Sequence, residues 1–372
     1  MNARTERLRE QSLTARPTLS PERALLLTAF HREHEGHLSP PVLRALAFRH
    51  LCEHRTLYLG ADELIVGERG PAPKVVPTYP ELTCHSLEDL RILDSRPLTA
   101  YVVPAEMLHA YAEQVIPYWS GRTMRERIFA AMTPQWRDAY DAGLFTEFME
   151  QRGPGHTALD DKIYRRGLLE RIADIQRVRA AMAGASGPAA VARREELQAM
   201  EIACEAVILL AGRHAALAAE LAAGEADPVR RRELERIAGV CRWVPAHAPR
   251  DFHEALQAYW FCHLAVVTEM NGWDSFSPGH LDQHLLPFYR RGLADGTLAP
   301  ESARELLECL FVKFNDHPAP PKVGVTAAES GTYNDFANLN LGGLLPDGEN
   351  GANEVTHLLL DVLGEMHLLQ PG

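Results

Sequence analysis

The side chains in this sequence with the types and spacing to do chemistry gather in loops, with no single linear motif. FTEFMEQRGPGHT, from Phe145 to Thr157, is an acidic, aromatic, helix-prone run that stops on Arg-Gly-Pro-Gly and then presents His156. Proline is stiff and glycine permissive, so this turn reads either as a helix end followed by a polar loop or as a rigid mount for an imidazole. Asp274, in NGWDSF, follows an apolar, strand-like run. An aspartate among aromatics suits hydrogen bonding or acid/base work in a partly dry pocket, and equally an Asx turn or helix cap. Ser330, Asp335 and Phe336, in ESGTYNDFAN, pose the same choice between lining a pocket and turning the chain.

Other candidates are weaker. His31 and His34, in HREHEGH, share a helical face with His37 close by. A metal would need further ligands from a partner helix, so the group reads as a solvated helix end and no metal is expected. Cys309, among leucines in ELLECLFVKF, and Cys84, beside His85, read as structural thiols. The glycines of LNLGG lack phosphate-loop spacing, and no nucleophile elbow is present.

The elements that must hold these loops are mostly helices. Ser20 and Pro21 open the first clear one, as N-cap and first helical residue, and Gly36 closes it. PPVLRALAFRHLCEHR is a second. The pattern is helical again from Pro104 to Tyr140, broken at Pro117 and Pro134, and in long runs over 159–179 and 193–223. A final helix starts near Asn353. From Leu64 to Leu82 runs a long Pro/Gly-rich loop of the kind that is more often functional than incidental. Short β-branched runs, Leu264 to Val267, VGVT and FANLNLGG, read as strands between helices. The expected class is therefore α/β with a buried parallel sheet and chemistry at strand ends.

Composition narrows the function. The chain has 372 residues, 46% of them hydrophobic, and 50 acidic against 38 basic side chains give a net charge of -12. That disfavours nucleic acid and anionic membranes as partners and favours a small-molecule or protein partner. The charged N-terminus lacks the apolar core of a signal peptide, no run of about 18 apolar residues occurs, and six scattered cysteines read as reduced thiols. The expected location is cytoplasmic.

Six segments then occur together and in order: GADELIVGERGPAPKVVPTYPE, AMTPQWRDAYDAGLFTEFMEQRGPGHT, WDSFSPGHLDQHLLPFY, ELLECLFVKFND, PAPPKVGVT and TYNDFANLNLGG with the following DGENGANEVTHLLLD. Over nearly the whole chain they resemble the glycyl radical enzymes of the pyruvate formate-lyase-like family. The resemblance implies a ten-stranded β/α barrel made of two half-barrels. Residues 1–372 would be the helix-rich N-terminal portion, the first half-barrel with its surrounding helices, ending before the radical cysteine loop and the C-terminal glycyl radical domain. No Gly-Cys-x-Glu motif occurs in these residues.

Within the family the resemblance points to the branch that dehydrates trans-4-hydroxy-L-proline to pyrroline-5-carboxylate and water, by thiyl-radical hydrogen abstraction. It implies that Asp274 and His156 are catalytic, and that Phe148, Ser330, Asp335 and Phe336 bind substrate. No cofactor would bind these residues directly. The glycyl radical would be installed elsewhere by a SAM/[4Fe-4S] activating enzyme, and the intact protein would be a homodimer. His280 stands where the family carries arginine. The alternatives are another glycyl radical lyase, such as a glycerol or propanediol dehydratase or a formate C-acetyltransferase-like enzyme, and a non-catalytic fragment.

Overall fold

The computed structural model describes residues 1–34, 36–145, 160–270, 277–324, 327–328 and 337–372. Helices dominate. Asn2 caps α1 (Ala3–Thr14) through a capping box with Thr5, a helix that the charged N-terminal sequence did not announce. The helices α2 (Glu22–His34) and α3 (Pro40–His54) match their expected boundaries, and the Ser20 hydroxyl accepts the Glu22 N–H at 3.2 Å. Then come α4 (Leu87–Ser95), α5 (Ala105–Ala110), a π-helical turn (Tyr111–Val115) and α6 (Ile116–Trp119). The pair α7 (Met124–Ala131) and α8 (Pro134–Asp141) buries none of its residues.

Beyond a short α9 (Lys162–Arg165) lie α10 (Leu168–Ala181), α11 (Pro188–Gly224) and α12 (Pro228–Trp243). Next are α13 (Phe252–Met270), α14 (Leu281–Ala294) and α15 (Pro300–Asn315). The last, α16 (Glu354–Met366), is capped by Asn353. Among the described residues α11 is long and apolar enough to cross a bilayer. Here it packs against α3, α10 and α12, and it carries Arg213 and the buried His214 within its apolar stretch.

The strand expectations need correction. Leu264 to Val267 continue α13 without a break, and Val323 and Gly324 are not in a strand. The reason is burial: α13 is buried on nearly every side, and an apolar run such as Leu264 to Val267 within it cannot be told from a strand by periodicity. The described strands are β1 (Thr18–Ser20) and β2 (Val75–Pro77), paired in parallel, with Val102 bridging Thr18 in parallel as well. In place of a strand through FANLNLGG there is one parallel bridge, Gly279 to Leu339. The architecture is helix-rich α/β, and these pairings are parallel, as a half-barrel requires.

Among the described residues three large cores share the helices, beside a small one at Val240, Val244 and Ala258. One joins α13, α14, α15 and α16, a second α3, α11, α12 and α13, and a third packs α2, α3 and α4 on the strands. Gly67 lets the loop after Leu64 lie on α13. Its φ is +116°, and a Cβ there would meet Leu264 Cδ2 at 2.9 Å.

Candidate functional site

Phe148, His156, Asp274, Ser330, Asp335 and Phe336 all lie outside the described residues. What the structure describes is where their segments rejoin the fold. The segment holding Phe148 and His156 rejoins at Asp160, whose Oδ1 lies 3.9 Å from His284 Nε2 on α14. Four residues on, Tyr164 stacks on the same imidazole at 5.4 Å. Burial pushes the His284 pKa down, although Asp160 and Asp161 pull it up.

The Asp274 segment rejoins at Ser277, just before α14. The segment holding Ser330, Asp335 and Phe336 rejoins at Ala337, alongside it. The Asn338 N–H donates to Ser277 Oγ at 3.3 Å and the Asn340 N–H to the Gly279 carbonyl at 3.1 Å. Asp282, fully buried on α14, locks the junction by accepting from the Gly342 N–H at 2.7 Å and the Thr356 hydroxyl at 2.6 Å. The described residues that follow three segments far apart in sequence therefore meet around the start of α14. His280 is the N-cap residue there. Its Nδ1 is buried without a hydrogen-bond partner, and it makes no ion pair among the described residues.

The described residues that precede two of these segments, those with Asp274 and Asp335, form a second place. The Asp274 segment starts from the end of α13, where Arg23 Nε donates to the Thr268 carbonyl at 2.9 Å, Arg55 Nη1 to the Thr268 hydroxyl at 3.0 Å, and the Tyr79 hydroxyl to the Val267 carbonyl. A cavity of about 10 Å³ opens beside Thr268 between Arg23, Arg55 and Arg69, the size of one water molecule. The segment with Asp335 starts from a buried, proline-rich run, His317 to Val323. Prolines bring carbonyls but no N–H groups, so buried acceptors remain to be satisfied. Side chains do it. Tyr101 Oη donates to the Ala319 carbonyl at 2.6 Å and His85 Nε2 to Pro321 at 3.1 Å, and beyond the run Arg96 Nη1 donates to the Ala327 carbonyl at 2.7 Å.

Beneath lies a cluster of buried charge. Lys313, on α15, donates to both Glu63 and Glu68. Burial alone would lower the Lys313 pKa, but the two carboxylates outweigh it and hold it well above its ordinary value. Burial raises Glu63 despite Lys313, lifts Asp316 to about 7 and pulls Lys74 down to about 8. His317 Nε2 is 3.3 Å from Glu68 Oε2 but is not its ion-pair partner. Burial, with nearby cations, keeps the imidazole neutral, and Nε2 accepts the Arg69 N–H at 3.1 Å.

Sequence reasoning singled out the loop from Leu64 to Leu82 by its length, and that loop supplies Glu68, Arg69, Lys74 and Tyr79. It passed over Lys313, which looks like an ordinary helix-surface lysine until its partners, 250 and 245 positions away, are seen. The six cysteines are all free. Burial pushes the thiols of Cys52, Cys84, Cys262 and Cys309 up to about 12 and raises those of Cys204 and Cys241 too, so none is poised as a thiolate. His34 stacks on Phe30 at 4.2 Å and His31 sits edge-on to Trp119 at 5.2 Å, which is helix packing.

The whole chain, residues 1–372, matches the family model described as pyruvate formate lyase-like. It is 49% identical over 369 residues to the trans-4-hydroxy-L-proline dehydratase of Clostridioides difficile, covering 99% of this chain and 47% of that protein. A crystal structure of the hydroxyproline dehydratase from that organism, with trans-4-hydroxy-L-proline bound, superposes over 100% of this chain and 47% of the other with a TM-score of 0.96 at 48% identity. The glycerol-bound B12-independent glycerol dehydratase of Clostridium butyricum gives a TM-score of 0.93 at 29% identity, over 100% of this chain and 47% of the other. The chain spans about half the length of the curated relatives it matches. With that sequence match running end to end on a fold shared with solved glycyl radical enzymes, the chain belongs to the pyruvate formate lyase-like family.

Proposed function

We propose that these residues form the substrate-binding portion of a glycyl radical dehydratase that converts trans-4-hydroxy-L-proline to pyrroline-5-carboxylate and water. The carrying observation is 49% identity along 99% of the chain to an enzyme named for that substrate. The convergence of three segment ends at the start of α14 supports it, since those segments hold the six candidate residues. A thiyl radical, formed on residues outside these 372 after a radical-SAM enzyme has made the glycyl radical, would supply hydrogen-atom abstraction.

The residues of this chain would do the rest. Asp274 would hold a proton at the departing hydroxyl, so that the C–O bond breaks with water as the leaving group. His156 would orient that group by hydrogen bonding. Asp335 would pair with the ring ammonium, Ser330 would bind the carboxylate end, and Phe148 and Phe336 would pack on the ring. The intact enzyme would act as a homodimer in the cytoplasm. The lower identity to the glycerol dehydratase, 29%, weighs against a diol substrate.

The test is anaerobic activation of the chain joined to the rest of the family's length, with a substrate panel. Hydroxyproline loss alongside an organic radical signal supports the reading. A radical with turnover of glycerol or propanediol only overturns it. Asp274→Asn should lower kcat by about 10²–10⁴-fold, the span of a general acid/base contribution, and unchanged turnover would remove Asp274 from the chemistry.

A further inference from the structure

The two roots described above, the end of α13 and the run His317 to Val323, are not held independently. Arg69 donates Nε to the Tyr79 hydroxyl at 3.3 Å, and that hydroxyl donates onward to the Val267 carbonyl, at the first root. The same guanidinium reaches the Pro318 carbonyl through Nη1 at 3.5 Å, and the Arg69 N–H donates to His317 Nε2 at 3.1 Å, at the second. The Tyr79 ring is fixed from its other side, where the Arg23 guanidinium lies 3.8 Å from its centroid and donates to Thr268. Tyr79 and Arg69 are 3% and 4% exposed, which shields these bonds from bulk solvent.

We infer that Arg69 and Tyr79 are positioning residues that tie the roots of the Asp274 and Asp335 segments into one unit, so that loosening either residue loosens both roots together. Two features make this pair a bridge and not two local supports. Arginine is a planar fork whose separate N–H groups reach separate acceptors, which lysine cannot copy. A tyrosine hydroxyl accepts and donates at once, so Tyr79 passes the Arg69 contact to Val267. Tyr101, by contrast, donates to the Ala319 carbonyl, within the second root. The coupling stands on this geometry. Its effect on substrate rests on the proposed function.

The experiment is amide hydrogen exchange on the full chain with Tyr79→Phe, which removes the relay hydroxyl and keeps the ring under Arg23. Exchange should speed up about five- to tenfold at both 265–270 and 316–324, the size of a lost buried hydrogen bond, with α11 unchanged. Tyr101→Phe, which removes the donor to the Ala319 carbonyl, should speed up the second root alone. Acceleration at one root only in Tyr79→Phe, or at neither, overturns the coupling. If that variant also loosens α11, Arg69→Lys becomes the deciding variant, with the same two outcomes. In the activated full-length enzyme, Tyr79→Phe should raise KM for hydroxyproline about fivefold with a smaller change in kcat. Coupled exchange with an unchanged KM overturns the positioning role. An inactive wild-type enzyme leaves the exchange result standing and counts against the proposed function instead.

Discussion

Helix α11 buries Ala206, Val207, Leu210, Ala211, Ala215 and Ala218 against α3 and α12, whereas the segment from Glu63 to Thr78 buries Glu63, Glu68, Arg69, Lys74 and Thr78. Both regions are equally dry. In the first, neighbours need only fill space, so close approach of small side chains does the work. In the second, every buried group needs a partner of the right charge and direction, because an unmatched one pays the full desolvation penalty. A volume-conserving substitution should therefore be mild in the first region and severe in the second.

The most severe should be Lys313→Met, which keeps the stem and removes the charge between Glu63 and Glu68. A loss of about 3–5 kcal/mol is expected, as for one partner deleted from a buried ion pair, measured as a shift in urea midpoint at constant m-value. The loss has a pH signature. Burial already raises Glu63 above its ordinary pKa, and removing Lys313 raises it further. A carboxylate with a raised folded pKa contributes stability below its unfolded pKa and loses it as pH rises. The deficit should thus grow from pH 5 to pH 8. A deficit under about 1 kcal/mol would mean that water reaches the cluster.

His214 makes the opposite test inside the apolar layer. It is buried on α11, donates its Nδ1–H to the Leu210 carbonyl 2.9 Å away, and burial pushes its pKa down to about 3. The unfolded chain takes up a proton near the ordinary histidine pKa while the folded one refuses it. Stability from this group is complete above about 6.5 and falls as pH drops toward 3. His214→Gln should remove about 2 kcal/mol of the wild-type loss between pH 6.5 and 5, from one proton over that interval. Parallel acid limbs for the two proteins would show that His214 already titrates in the folded state.

The contrast also explains what was legible in the sequence. Caps and periodicity are local, so α2, α3 and α16 could be read from the sequence, with Ser20 and Pro21 at the start of the first and Asn353 at the start of the last. The capping signal at Asn2 and Thr5 was equally local, but α1 has a weak apolar stripe and is held from afar, Thr5 by Glu308 at 2.6 Å and Asn2 by Glu305 at 2.7 Å. The continuation of α13 through Val267 was hidden because its partners surround it. The bridge from Arg69 through Tyr79 to Val267 joins residues nearly two hundred positions apart, 188 for its last bond. No window of sequence contains both ends. Residue types and loop context singled out His156, Asp274, Ser330, Asp335 and Phe336, the family resemblance added Phe148 and the roles, and the fold supplies the meeting of the described segment ends at α14.

The smallest expected effect is the one that most sharpens the contrast. Leu210 is fully buried on α11, among Ala206, Val207 and Ala211 of its own helix and the packed faces of α3 and α12. Methionine has nearly the same volume and bends to fit an irregular space. Leu210→Met should cost less than about 1.5 kcal/mol, the usual limit for a volume-conserving core exchange, read from the same urea titration as Lys313→Met. Both substitutions end in the same thioether, and both sites are dry. If the two cost the same, burial depth and not the kind of contact governs stability here. If Lys313→Met costs at least twice as much, the charge cluster beneath the segment roots is held by its pairing, and the alanine-rich layer by its shape.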